Sequence, residues 1–164
     1  MAAPVPTPRT LALTGFRMPD GFRSLVTLQN SPAIQLWEHA AGGVKPPGFD
    51  GGEPVNTTTM HNNAWRTKRA RKLKEMTPCT FKAAYDPDVL PAVLQQINLE
   101  QSITFLYPDG STLAFWGFLQ KFESGGMEEG KMPEADCTVV PTNVDPVGNP
   151  GGEDGPVFTP ALGT

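Results

Sequence analysis

The clearest pattern in the chain is an alternation of apolar and polar positions on either side of Pro108-Asp109-Gly110. Before this tripeptide the alternation has a period of two residues, which is typical of a β-strand. The tripeptide itself favours a turn, because proline fixes φ, aspartate bonds nearby backbone and glycine accepts positive φ. After it, residues 112–122 are apolar on both faces, as in a strand that is covered on both sides. The sequence therefore predicts a β-hairpin over residues 101–122 with a two-sided core.

The same period assigns the apolar side chains of the hairpin to faces. In its first strand one face carries Ile103, Phe105 and Tyr107. In its second strand one face carries Leu113, Phe115 and Leu119, and the other carries Ala114, Trp116, Phe118 and Phe122.

Five further segments have the composition of strands, and one has that of a helix. The predicted strands are residues 22–28, 33–39, 53–60, 78–85 and 135–140. The helix is predicted over about residues 89–97, since Leu90, Val93, Leu94 and Ile97 form one apolar stripe. Asp88 is the expected N-cap and Asn98 the expected stop. A helix this short is unstable alone, so we expect it to pack on the sheet.

Segments rich in proline and glycine divide the chain. Residues 41–52 (AGGVKPPGFDGG) predict a projecting loop, and residues 1–14 and 141–164 predict extended terminal arms. Between the arms, residues 15–140 form one expected domain. The predicted fold class is mainly β: a β-sandwich or barrel of two packed antiparallel sheets with one short flanking α-helix, long loops and extended terminal arms.

Charge is distributed unevenly over the 164 residues. Residues 1–74 carry ten Lys/Arg against four Asp/Glu, whereas residues 75–164 carry three against thirteen. A chain with this asymmetry can pair with copies of itself head to tail. No run of about 18 apolar residues predicts a membrane span, and the N-terminus lacks the pattern of a signal peptide. We therefore expect a cytoplasmic protein with no membrane contact.

Six of the thirteen basic residues lie in residues 65–74. Clustered Lys/Arg can neutralise phosphates, so one interpretation is contact with nucleic acid. However, nucleic-acid-binding domains usually carry a net positive charge, and this chain has a net charge of −4. We favour a contact with the acidic surface of a neighbouring subunit. The candidate interface residues are Trp65, Arg66, Lys68, Arg69, Arg71, Lys72 and Lys74.

Catalytic and metal-binding patterns are not found. Cys79 and Cys137 occupy inward positions of predicted strands, and neither is closely spaced with His39 or His61 as zinc ligands would be. No nucleophile elbow, Walker loop or dinucleotide fingerprint occurs. The sequence predicts no enzyme, no metal and no cofactor.

The order of these elements resembles that of the major tail (tail tube) proteins of long-tailed bacteriophages. The likeness lies in NTTTMHN at residues 56–62, Trp65-Arg66-Thr67, FKAAYDP at residues 81–87, the hairpin ITFLYPDGSTLAFWGFLQKF and Pro133-Glu134-Ala135. Together these segments span about residues 22–145. The order and spacing of several weak signals carry the resemblance, and no single motif does.

The resemblance implies a structural virion protein of the tail, assembled in the host cytoplasm. Such proteins form hexameric rings that stack into the tube through which DNA leaves the capsid. The implied partners are copies of the chain itself, other tail proteins such as tape measure and tail-completion proteins, and genomic DNA that passes through the lumen without specific binding. An acidic wall suits that passage, since it does not hold phosphates. The terminal arms and the loop at residues 41–52 are the expected contacts to the next ring.

Two other functions compete with this one. A small nucleic-acid-binding β-barrel would use the basic stretch 65–74. A small-ligand-binding barrel would need a cavity within the cluster of Phe105, Phe115, Trp116 and Phe118, and such clusters usually form plain core.

Overall fold

The computed structural model describes residues 24–37 and 43–161. The predicted N-terminal arm, His39 and the ends of the first two predicted strands lie outside the described residues. The strands are β1 (Leu25–Leu28), β2 (Ser31–Trp37), β3 (Phe49–Asp50), β4 (Val55–Asn56), β5 (Lys68–Arg69), β6 (Glu75–Met76), β7 (Cys79–Ala84), β8 (Gln101–Leu106), β9 (Thr112–Ser124), β10 (Glu134–Pro141) and β11 (Val157–Thr159). A 3₁₀ turn at Pro87–Val89 leads into the one described α-helix, α1 (Leu90–Leu94).

The main sheet has seven antiparallel strands in the order β2-β1-β8-β9-β10-β7, and β11 pairs with β9 outside this path. The predicted hairpin is confirmed as β8 and β9, with Ile103 opposite Phe115. Its turn has the expected chemistry: Gly110 has a φ of 84°, and Asp109 accepts hydrogen bonds from the backbone N and Oγ of Ser111 at 2.9 and 2.6 Å. Because β9 is 13 residues long, it pairs with β8, β10 and β11 and holds the sheet together.

The core lies on one face of this sheet, which curls around it. β7 and β8 are separated in the sheet by β9 and β10, yet the rings of Phe81 and Phe105 meet edge to face at 5.9 Å. Phe105 also stacks on Phe115 at 5.7 Å. The edge strands β2 and β7 approach each other without pairing. The mainly β class with one short helix is confirmed, and the two layers are halves of one curved sheet.

A β-bulge changes the predicted faces of β9. Val139 of β10 lies opposite Leu119, but Thr138 lies opposite Lys121, so Gln120 is an extra residue. One extra residue reverses the alternation beyond it. Phe122 was predicted to share a face with Trp116; instead it packs against the core, beside Tyr85 at 6.0 Å between ring centroids. The face that keeps Ala114, Trp116 and Phe118 is half-buried, whereas the opposite face is fully buried.

The helix is shorter than predicted, and its cap differs. Five residues are α-helical, and the cap is Asp86, whose side chain accepts from the backbone N of Asp88 at 3.0 Å. Pro91 lies in the first turn of α1, where its missing N–H costs no intrahelical bond, and the 3₁₀ turn Pro87–Val89 precedes it. Val93 enters the core, but Leu94 is exposed. The predicted stop at Asn98 is wrong, because the helix ends at Leu94 with Gln95 as its C-cap; Asn98 adopts a left-handed φ of 61° four residues beyond the helix.

The C-terminal segment is more ordered than an extended arm. After β10, the backbone N of Thr142 bonds to the carbonyl O of Trp116 at 2.9 Å. The chain then returns as β11, which pairs with residues 112–114 of β9. Phe158 of β11 lies beside Tyr107 at 6.5 Å between ring centroids. The sequence missed this strand because three residues among prolines and glycines give no periodic signal.

Candidate subunit interface

Residues 49–76, here called the arm, form a long two-stranded excursion from the main sheet. β3 pairs with β6 at its base, and β4 pairs with β5 further out. At the base the backbone N of Thr77 donates to the carbonyl O of Gly48, at 2.9 Å. Every residue from 51 to 75 is exposed, and Met76 alone of the arm is buried. The arm therefore has no core of its own.

The arm corrects the prediction of a third main-sheet strand over residues 53–60. Only Val55–Asn56 is strand, and it pairs within the arm. The threonines and asparagines there bond to each other and to nearby backbone. The backbone N of Thr67 donates to Oγ1 of Thr58 at 3.0 Å, and the backbone N of Thr59 donates to Oδ1 of Asn62 at 2.8 Å. These side chains satisfy backbone groups locally and so compete with a regular ladder.

The predicted projecting loop at residues 41–52 is the first part of the same excursion. Its described residues, 43–52, include β3. The strand Phe49–Asp50 formed despite the surrounding prolines and glycines because β6 supplies the hydrogen-bond partners from 25 residues further along the chain.

The structure places all the predicted interface residues on the arm, fully in solvent. Trp65, Arg66, Lys68, Arg69, Arg71, Lys72 and Lys74 are all exposed, and the indole of Trp65 is 83% accessible. In the part of the chain that the structure describes, none of the six basic side chains forms an ion pair. Five large apolar side chains of the arm are exposed as well: Phe49, Val55, Met60, Trp65 and Leu73.

Outside the arm, three lysines pair with nearby carboxylates. On the outer face of the main sheet, Lys82 donates to Glu134 at 2.6 Å and lies 4.0 Å from Asp136. The hydrogen bond to Glu134 raises the pKa of Lys82. Lys121 pairs with Glu123 and Lys131 with Glu128. Lys82, Lys121 and Lys131 are thus locally compensated, in contrast to the cations of the arm.

Two open clefts flank the base of the arm. One of about 620 Å³ separates Phe49, Leu73 and Met76 from the C-terminal segment at Asn143 and Glu153. The other, of about 650 Å³, lies within the arm between residues 50–55 and 71–75. Both are shallow grooves beside lysines.

A third cleft, which the sequence did not reveal, lies where the edges of the main sheet approach each other. It has a volume of about 460 Å³, and we call it the edge cleft. Its walls are mostly apolar, from β2, the end of β7, the start of the helical turn and the β9–β10 turn: Ile34, Leu36, Tyr85, Val89, Phe122 and Met132. Asp86 also lines it. These residues are up to 98 positions apart in sequence, so only the fold brings them together.

Reactive chemistry is not assembled in the described residues. Cys79 and Cys137 are free and buried, and burial raises the pKa of each thiol from 9.0 to about 12. They lie diagonally across the β7–β10 pair, which is too far apart for a disulfide. The part of the chain that the structure describes contains no group of three or more His, Cys, Asp or Glu that could hold a metal ion. No helix in the described ranges is long and apolar enough to cross a membrane.

Comparison with known proteins gives a likeness of fold alone. The sequence matches no protein-family model and no curated protein. Among solved structures, the fold is similar to that of a chain in the cryo-EM structure of the anti-feeding prophage (AFP) baseplate, 6-fold symmetrised, with a TM-score of 0.53. The two sequences are 8% identical, and the alignment covers 84% of this chain and 91% of that one. The likeness therefore extends over nearly the whole of both chains.

Proposed function

We propose that this protein is a structural component of a phage-type tail that assembles with copies of itself. More specifically, we propose that it forms stacked, hexameric rings of the tail tube, through which DNA is ejected. Its partners are then neighbouring subunits, other tail proteins such as the tape measure and tail-completion proteins, and genomic DNA that passes without specific binding. Its location is the tail of the virion, after assembly in the host cytoplasm.

The observation that carries self-assembly is the arm. A two-stranded hairpin in water is marginally stable at best. This arm has no buried residue between 51 and 75, and it exposes large apolar side chains together with unpaired cations. Such a surface is expected to be covered by a partner. The acidic excess of residues 75–164 makes a second copy of the chain a suitable partner.

The kind of assembly is supported by analogy. The similar chain belongs to the structure of an anti-feeding prophage baseplate that is 6-fold symmetrised. The sequence also resembles tail-tube proteins in the order of its elements. Both arguments are analogies, one from the fold and one from the order of elements along the chain. In a head-to-tail contact, two different surfaces of neighbouring subunits meet. Repeating this contact gives a closed ring if the rotation between neighbours divides a full turn evenly, and a filament if it does not. The acidic balance of the whole chain suits a conduit for DNA.

Negative-stain electron microscopy over a concentration series tests the proposal. We expect rings or tubes of uniform width that become more frequent as the concentration rises. Monomers at every concentration would contradict self-assembly of the chain.

A nucleic-acid-binding β-barrel is the second candidate function. Six exposed, unpaired basic side chains beside an exposed tryptophan favour it, since cations and stacking aromatics are the groups that bind single strands. The test is retention on immobilised DNA at increasing salt concentration, because phosphate contacts weaken steeply with salt. A tail-tube protein is expected to flow through at all salt concentrations.

The small-ligand barrel is not proposed. Phe105 and Phe115 are fully buried and stacked on each other, and Trp116 and Phe118 lie on the other face of the sheet. The four side chains do not enclose a common space.

A further inference from the structure

We infer that the arm of one copy docks in the edge cleft of another, with Trp65 entering the cleft and the neighbouring cations of the arm pairing with carboxylates at its rim. This inference rests on the proposed self-assembly and names the two surfaces that meet. It is carried by three observations: the chemistry of the arm, the chemistry of the cleft, and their positions along one strand.

The arm presents an apolar group flanked by positive charge. Trp65 is 83% exposed, and Arg66, Lys68 and Arg69 follow it directly along the chain. None of these three cations is compensated by an ion pair in the described part of the chain. A buried aromatic anchor beside arginine is a common energetic centre of protein interfaces.

The edge cleft presents the complementary chemistry. Its apolar walls and volume of about 460 Å³ suit an indole ring. Asp86 lies in its lining, and Asp88 follows in the same helical turn. The β9–β10 turn, which supplies Met132 to the cleft, also carries Glu128, which pairs with Lys131, and Glu129, which forms no ion pair among the described residues. The cleft and the segments beside it therefore carry negative charge where the arm carries positive charge, and this complementarity favours a second copy as the partner.

The cleft is also incompletely covered in the single chain. Met132 is 62% exposed and Val89 36% exposed, although both line it. Leu94 and Met127, which lie close by along the same two segments, are exposed as well. Apolar side chains gathered at a concave site with charged rims are typical of an interaction surface.

The two surfaces lie at opposite ends of β7. The arm joins the start of this strand, since β6 ends at Met76 and β7 begins at Cys79. The cleft is lined by its last residue, Ala84, and by Tyr85. Five steps along a strand span about 17 Å. A copy that offers its arm at one end and its cleft at the other can contact two neighbours at once, so the contact propagates head to tail.

A charge-exchange experiment tests the pairing. One variant reverses the arm (Arg66→Glu with Lys68→Glu), and the other reverses the rim (Asp88→Lys with Glu129→Lys). All four residues are exposed, so circular dichroism should show both variants folded as monomers. Each variant alone places like charges opposite each other, and we expect its half-assembly concentration to rise roughly tenfold or more. An equimolar mixture restores opposite charges at every contact, and we expect assembly to return near the wild-type concentration.

Site-specific crosslinking gives an independent readout. A chain with Ala64→Cys, beside Trp65, is mixed with a size-tagged chain that carries Met132→Cys, and the mixture is oxidised. We expect a disulfide-bonded heterodimer of intermediate size. The matched control replaces Met132→Cys by Val147→Cys, at a site that is more exposed (84% against 62%) and does not line the cleft. The two natural thiols are buried and stay protonated, so they do not compete.

The outcomes separate the two proposals. Wild-type protein that never associates overturns the proposed function and this inference together. Wild-type protein that assembles overturns this inference alone if the mixed variants stay apart, or if crosslinking is no stronger at Met132 than at Val147. Restoration in the mixture with crosslinking at Met132 supports the docking of arm in cleft. Salt-sensitive binding of the wild-type chain to DNA, in place of a second copy, would contradict the choice of partner.

Discussion

At Gly117 the backbone of β9 lies so close to β10 that no side chain can be accommodated. A Cβ built on this residue would lie 2.6 Å from the carbonyl O of Val140, which is backbone and cannot turn away. Gly126, in the turn after β9, has open space at the same position. Within one hairpin, therefore, Gly117 is required by a close backbone contact and Gly126 is not, and the sequence alone does not distinguish the two positions.

The first prediction follows from this contrast. Gly117→Ala should lower the free energy of unfolding by about 1–3 kcal/mol, the usual cost of overpacking a closely fitted site. Gly126→Ala is the matched control and should change it by less than about 0.5 kcal/mol. Urea unfolding followed by tryptophan fluorescence measures both. Equal effects of the two substitutions would show that the close approach at Gly117 does not constrain the fold.

The buried thiols predict a loss of stability at alkaline pH. The pKa values of Cys79 and Cys137 are raised from 9.0 to about 12 in the folded protein, chiefly because burial disfavours the thiolate. The unfolded chain releases these protons at lower pH, so stability is retained below about pH 9 and falls as the pH rises toward 12. Urea unfolding at about pH 8 and pH 10.5 should show the decline.

The control for this prediction is the double variant Cys79→Ala with Cys137→Ala. Its stability should fall less over the same pH range. Some decline should remain, because desolvation also raises the pKa of Tyr107. An identical decline in both proteins would mean that the two thiols do not cause it.

At the scale of elements, the molecule separates into a main sheet that holds its own core and an arm that holds none. The core side chains come from β1, β2, β7, β8, β9 and β10, with Val93 of α1 and Met76 at the root of the arm. The outer part of the arm is fixed by hydrogen bonds among polar side chains and by two short pairs of strands. The arm therefore contributes little to the stability of the domain, and its exposed surface is available for a contact.

Shortening the arm tests this division. Asp50 and Glu75 lie opposite each other at its base, so residues 51–74 can be replaced by a two-residue Asn-Gly turn, which favours a hairpin. The shortened chain should keep its melting temperature within a few degrees, roughly the effect of 1 kcal/mol in a domain of this size. Sedimentation velocity should show a monomer at concentrations where the wild type assembles. A shortened chain that still assembles would remove the arm from the subunit contact.

At the scale of the whole molecule, charge is segregated in space as well as in sequence. The basic excess of the first half is concentrated on the exposed arm, whereas the acidic excess of the second half lies on the main domain and its turns. Three lysines of the main domain pair locally, as Lys82 does with Glu134. The cations of the arm and acidic side chains such as Asp88 and Glu129 form no ion pair among the described residues, and the long range of their charge favours encounter between copies.

Neutralising the arm should therefore impair assembly without unfolding the protein. Replacing Arg66, Lys68, Arg69, Arg71, Lys72 and Lys74 with glutamine removes six exposed charges that form no ion pair within the described chain. Circular dichroism should be unchanged, while light scattering should show assembly only at much higher concentration. The wild type should also assemble less well at about 1 M salt, where screening acts within about 3 Å. Normal tubes from the neutralised protein would refute the role of these residues.

Much of the fold could be read from local patterns. Local patterns predict the hairpin of β8 and β9 and the strands β1, β2, β7 and β10, because turn chemistry and a period of two act over a few residues. The basic stretch at residues 65–74 was also recognised as an exposed charged segment, since composition alone indicates exposure.

What only the tertiary structure decided depends on contacts between distant segments. The bulge at Gln120 directs Phe122 toward the core, and it depends on the register between β9 and β10. β11 forms because β9 supplies its hydrogen-bond partners, and no local pattern in the sequence encodes that pairing. The threonine-rich segment lies in the arm and not in the main sheet, because its side chains hydrogen-bond to each other and to nearby backbone. The edge cleft arose where β2 and β7 approach without pairing. The sequence by itself determined most of the strands and the distribution of charge along the chain. The curling of one sheet, which brings β2 and β7 together, determined where the apolar cleft and the charged side chains lie on the surface.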